Sequence, residues 1–216
     1  MAIALFNLGF RPFFLLGSAY GAIAMGLWIG PYFPHALAWH AHEMIYGFAA
    51  AIIAGFLLTA VCNWTGLATL EGSPLAALVC LWLSARLLSL NGSVPALAAW
   101  LDLVFLTCLL AAVARPIWQV RQWRQWGVLT CVAFLILGQA AQVAAIQGWT
   151  DDTRLGVQIG LYAVLGLILI IARRVIPFFT ERGVNYPVSL RQFPWTDRWA
   201  MPLYGLYAGL AVLTPH

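Results

Sequence analysis

Apolar residues run through this chain in long stretches, and polar positions gather in the breaks between them. Reading those stretches against charged or Pro- and Gly-rich interruptions predicts spans near residues 13–30, 40–61, 74–90, 95–114, 126–147 and 155–172, with a seventh from about 199 onward. Each is close to the roughly 20 residues that a helix needs to cross a bilayer. The expected fold is all-α: a polytopic transmembrane helical bundle of about seven spans. It is read as a single transmembrane helical domain over residues 1–216. The breaks are short except at 173–198, where Arg173, Arg174, Arg182, Arg191 and Arg198 collect with Pro177, Pro187 and Pro194. That segment reads as an amphipathic or extended loop.

Composition turns the pattern into a class. The chain is 63% hydrophobic and 8% charged, with a mean hydropathy of +0.87, against about 25% charged residues in a soluble domain. This excludes a soluble protein and points to lipid as the principal partner. The first span is expected to be retained as a helix, so no cleavable signal is needed.

All eleven basic residues are arginine. With a cytoplasmic N-terminus, Arg11, Arg115, Arg121, Arg124 and the five arginines of the 173–198 segment fall inside, and Arg154 falls outside beside Asp151 and Asp152. That asymmetry predicts an N-in, multi-pass inner-membrane protein. The net charge of +4 then reports topology and gives no reason to expect a nucleic-acid partner. The sequon at Asn63-Trp64-Thr65 falls on the cytoplasmic side and is discarded. Cys62, Cys80, Cys108 and Cys131 stand singly in apolar sequence, without the paired spacing of a zinc or iron-sulfur site, and read as packing residues.

Candidate chemistry concentrates at Trp39-His40-Ala41-His42-Glu43-Met44, where the second span begins on the expected periplasmic side. Ionisable groups at membrane depth are costly and mark ligand, proton or metal chemistry. Three of the four histidines, His35, His40 and His42, fall in this neighbourhood. On a helix, His40 and Glu43 share a face while His40 and His42 point about 200° apart. On an extended segment, which the nearby Pro31 and Pro34 permit, the two histidines point the same way. Below Glu43, the residues Gly47, Ala51 and Gly55 continue one stripe at four-residue spacing, a flat ridge for a second helix or a planar cofactor. A neutral imidazole here suits haem iron or copper, with Glu43 fixing its tautomer.

Other polar positions read as structural. Arg86 and Asp102 lie at about 10 and 14 Å depth from the Asn91-Gly92-Ser93 turn by helical rise, within reach of each other, and are predicted to form a buried pair. Gln139 and Gln142 share a face of the fifth span, Gln158 lies in the sixth, and all three are expected to serve interhelical hydrogen bonds.

Four segments together resemble the NnrS family: Gly9-Phe10-Arg11-Pro12-Phe13-Phe14, the His40-His42-Glu43 motif, Gly55-Phe56-Leu57-Leu58-Thr59-Ala60 with Asn63-Trp64-Thr65-Gly66, and Arg174-Val175-Ile176-Pro177-Phe178-Phe179-Thr180. The likeness runs over residues 5–183. It implies a bacterial inner-membrane protein associated with haem and copper, acting in nitric oxide metabolism and resistance to nitrosative stress. It also implies His40, His42 and Glu43 as the cofactor-binding motif; His40 and His42, with His35 from the same neighbourhood, are the expected metal ligands. Members have about a dozen spans, so this chain is expected to represent an N-terminal half. No particular reaction is specified. The rival expectations are a proton- or cation-conducting carrier or channel using the same His/Glu cluster without a cofactor, and a membrane scaffold whose polar residues specify helix packing.

Overall fold

The computed structural model describes residues 4–30, 36–91, 95–184, 186 and 193–214. Among them all the regular structure is helical, with no strand. The helices are α1 (Phe10–Ile29), α2 (Ala36–His42), α3 (Ala50–Thr65), α4 (Gly72–Asn91), α5 (Pro95–Gln119), α6 (Trp126–Ile146), α7 (Leu155–Gly183) and α8 (Pro194–Leu213). A π-helical stretch, Glu43–Ala49, joins α2 to α3, so one helical segment, Leu37–Thr65, crosses the bundle. Six helical segments are long and apolar enough to span a membrane. The seventh expected element is α8, which starts at Pro194, contains Pro202, and lies outside those six.

The segments run antiparallel in succession, and neighbours in sequence pack together: α1 on α3, α4 on α5, α5 on α6, α6 on α7, with α3 also against α5. Fully buried Phe13, Leu57, Trp82, Phe105, Leu109 and Leu135 fill the centre. Large apolar side chains such as Leu15, Leu87, Leu137 and Ile168 face outward, as suits a protein whose solvent is hydrocarbon.

The Gly47/Ala51/Gly55 stripe is buried, and α1 occupies it. A Cβ on Gly55 would stand 3.0 Å from Phe13 Cβ and 2.8 Å from the Phe14 ring. The ridge therefore seats a helix. The α1 N-terminus is tied to the same surface, with Phe10 N–H donating to Thr59 Oγ1 at 3.1 Å. Two of the sequence motifs thus pack face to face, and a third joins them: the Arg174 guanidinium lies 5.8 Å from the Trp64 ring centroid.

Two expectations need correction. Residues 173–183 are the continuation of α7 through Pro177 to Gly183, so the first part of the expected loop is helical. At 29 residues the helix is about 43 Å long by helical rise, and its arginines extend past a hydrocarbon core of about 30 Å. Pro187 and Arg191 lie outside the described residues. Cys131 is buried, but Cys80 and Cys108 are exposed on the bundle surface, so these two face outward and are not packing residues.

Candidate functional site

The helix carrying the histidine motif begins at Ala36, before His40, which removes the extended alternative. His40 and His42 diverge as helical geometry requires. The His40 ring stacks on Trp28 of α1, with centroids 4.0 Å apart and planes 13° from parallel. His42 turns inward, its Nδ1 3.2 Å from Glu43 Oε1 and its Nε2 3.8 Å from Asp102 Oδ2. Ring nitrogens of both histidines, His40 Nδ1 and His42 Nε2, are buried without a hydrogen-bond partner. His35 lies outside the described residues, as do Pro31, Pro34, Gly92 and Ser93.

Glu43 is the hub. It is the first residue of the π-helical stretch and has no exposed surface. Tyr20 of α1 donates to its Oε2 at 2.5 Å, Ser89 of α4 donates to its Oε1 at 2.5 Å, and Arg86 of α4 pairs with its Oε2. The other side of the same guanidinium pairs with Asp102 of α5. The predicted Arg86–Asp102 pair is thus present, and it is half of a larger array in which one cation bridges two fully buried carboxylates.

The backbone makes room for this arrangement. A Cβ on Gly47 would stand 2.7 Å from both Arg86 Nη1 and Glu43 Oε2, and 3.0 Å from the Tyr20 ring. Glycine is therefore required by close approach. Trp82 Nε1 donates to the Gly47 carbonyl at 3.0 Å, satisfying an acceptor that a buried helix interior would otherwise leave to its own ladder. On the other side of the π turn, Tyr46 donates to the Gly156 carbonyl of α7 at 2.6 Å. It sits where Gly138 and Gly160 bring α6 and α7 together. π-Helical turns are uncommon and concentrate at functional sites.

Charge counting sets what the array can do. Two carboxylates face one guanidinium, so the set holds a surplus negative charge unless a proton or a metal cation joins it. Asp102 Oδ1, His42 Nε2 and Arg86 Nε are buried there without hydrogen-bond partners, two of them on the groups that could take a proton or a cation. Among the described residues no three of His, Cys, Asp and Glu converge as a metal cage. Sequence reasoning missed Tyr20, Ser89 and Trp28. Ser89, one helical turn from Arg86, was within reach of the i, i+3 rule; Tyr20 and Trp28 carry no polar signal of their own in an apolar run.

Of the three glutamines expected to bond between helices, Gln139 does so, and Arg11 and Arg174 belong to the opposite end. Gln139 Nε2 donates to the Ala99 carbonyl at 3.0 Å, an α6–α5 interhelical bond. Arg11 Nη1 donates to the Ala4 carbonyl at 2.7 Å, and Arg174 bonds Gln125 Oε1 and the Arg124 carbonyl. Both arginines lie far from His42, at the other end of the bundle.

No curated protein and no solved structure matches the chain. A family model described as NnrS protein matches residues 4–216, and the chain belongs to the NnrS family.

Proposed function

We propose that this multi-pass membrane protein acts in nitric oxide metabolism and resistance to nitrosative stress, binding haem, or copper, at the His42 end of the bundle. In this reading the protein lies in the bacterial inner membrane with its N-terminus cytoplasmic and His42 on the periplasmic side. The observation that carries the proposal is the state of the His42 ring. Its Nδ1 is against Glu43, itself held by Tyr20, Ser89 and Arg86, and its Nε2 is buried and unpartnered. A carboxylate on one ring nitrogen with the other left to a metal is the usual arrangement of a ligating histidine.

The donor set fits the group in kind. His42 Nε2 would be the nitrogen donor, Asp102 the adjacent oxygen donor for copper, and His40 Nδ1 a separate single donor. Glu43 holds the His42 ring and is not itself a ligand, because all its neighbours are donors. Bound there, haem or copper supplies a coordination position for nitric oxide. The surplus charge of the Glu43–Arg86–Asp102 array favours a cation at the same place.

The test is an absorption spectrum and elemental copper analysis of protein produced with haem and copper supplied, repeated for His40→Ala, His42→Ala and Glu43→Gln. A Soret band or stoichiometric copper that His42→Ala abolishes and Glu43→Gln weakens by about 10–100-fold in affinity is expected. Absence of both signals in the parent protein overturns the proposal.

A second reading rests on the 3.8 Å approach of His42 Nε2 to Asp102: a carrier or channel in which this pair relays protons or a small cation. It predicts a colourless, copper-free protein with pH-dependent flux that Glu43→Gln abolishes.

A further inference from the structure

At the end of the bundle opposite His42, the link between α5 and α6 lies beside α3 and α7 and forms with them an open pocket of about 590 Å³. Three arginines line it, Arg121, Arg124 and Arg174, together with Trp64 and Trp123, and no acidic residue does. Among the described residues no carboxylate pairs with any of the three arginines. Positive charge is therefore concentrated in a concave site with no carboxylate among the described residues paired to it.

The walls are constructed. Gln122 Nε2 donates to the Trp64 carbonyl at 2.5 Å, and Arg174 is fixed by Gln125 Oε1, by the Arg124 carbonyl at 2.8 Å, and by the Trp64 ring. Arg121 has φ +53°, the one positive value at a non-glycine among the described residues. Strained backbone of this kind persists where its surroundings over-determine it, and ligand clamps are such places. Here it brings the Arg121 side chain to the same cavity as Arg124.

The tryptophans beside the pocket point to the class of ligand. Trp118, Trp123 and Trp126 form an exposed cluster beside it, with centroids 5.8 to 6.4 Å apart. Indole rings in such a collar sit at the headgroup level of a bilayer, and basic pockets between spanning helices at that level take anionic phospholipid headgroups. We propose that this cavity is a specific site for the phosphate of an anionic phospholipid, with Arg121 and Arg124 as its charge partners and Arg174 as its fixed wall.

The experiment is native mass spectrometry of the full chain in neutral detergent, titrated with cardiolipin or phosphatidylcholine. The comparison is with Arg121→Gly/Arg124→Gln, Arg121→Lys/Arg124→Lys and Arg182→Ala. Glycine tolerates the backbone of residue 121, so the first variant keeps the fold while removing the charge. Cardiolipin is expected to be retained in preference to phosphatidylcholine. Retention is expected to fall about thirtyfold in the first variant, roughly fivefold for each arginine lost. It should largely return in the lysine variant and hold in Arg182→Ala. Equal retention by the parent and the first variant overturns the proposal, as does an equal loss in Arg182→Ala, which would reduce the effect to general surface charge. Displacement of cardiolipin by millimolar inorganic phosphate would assign the cavity to a free anion and overturn the lipid assignment.

Discussion

Replacing Arg86 by leucine removes the one cation between two buried carboxylates. Arg86, Glu43 and Asp102 have no exposed surface, and the substitution deletes both ion pairs and a guanidinium 5.8 Å from the Tyr20 ring centroid. Breaking a buried ion pair from one side costs about 3–5 kcal/mol, because the remaining charge is left uncompensated; replacing all members by neutral groups is far cheaper. For a chain of this size that corresponds to a fall of about 6–20 °C in Tm. Thermal unfolding in a mild detergent measures it, with Arg86→Leu compared with the triple variant Arg86→Leu/Glu43→Gln/Asp102→Asn. The triple variant is expected to recover most of the loss, since the side-chain amide introduced by Glu43→Gln would still accept from Tyr20 or Ser89. Arg86→Leu melting with the parent, or the triple variant melting well below Arg86→Leu, would refute the charge-balance argument.

Gly160→Ala places a Cβ 2.7 Å from Tyr46 Cζ and 2.9 Å from Ile45, so a loss of about 1–3 kcal/mol is expected from overpacking; partial rescue by Tyr46→Phe in an equilibrium unfolding assay would localise the clash to the hydroxyl. Ser89→Ala removes a donor to Glu43 at 2.5 Å and the acceptor for Trp39 Nε1 at 3.2 Å, and should cost about 1–3 kcal/mol; an unfolding midpoint equal to the parent's would count against the hub role of Glu43. Thr59→Val keeps the shape but removes the oxygen that accepts from Phe10 N–H. A loss of about 1 kcal/mol should appear as faster hydrogen exchange at the start of α1.

How far the sequence reveals the molecule can be seen at individual residues. Run length suffices for the spans, and helical depth suffices for Arg86 with Asp102. The second span is expected to begin near residue 40, which puts Glu43 only about 4–5 Å deep by rise. The helix begins at Ala36, which places Glu43 about 10 Å deep, close to the level of Arg86, about 8 Å from the end of α4. That pairing therefore depends on a helix start that the apolar pattern does not show. The π-helical stretch is not legible, since Glu43–Ala49 has the residue types of an ordinary apolar helix and the extra width comes from what packs around it: Arg86, Tyr20 and Trp82 on one side, and the glycines of α6 and α7 on the other. The 173–183 segment misleads because charge and Pro177 read as helix breakers. A proline costs one ladder bond, and beyond the hydrocarbon water satisfies what it frees.

Glu43 and Tyr46 hang from the same loosely wound turn, one fastened to α4 and the other to α7. Rewinding that turn to ordinary α-helical pitch would rotate both side chains at once, releasing the acid from its guanidinium as the phenol left the Gly156 carbonyl. A change of pitch in that turn would therefore be felt at α4 and at α7 together.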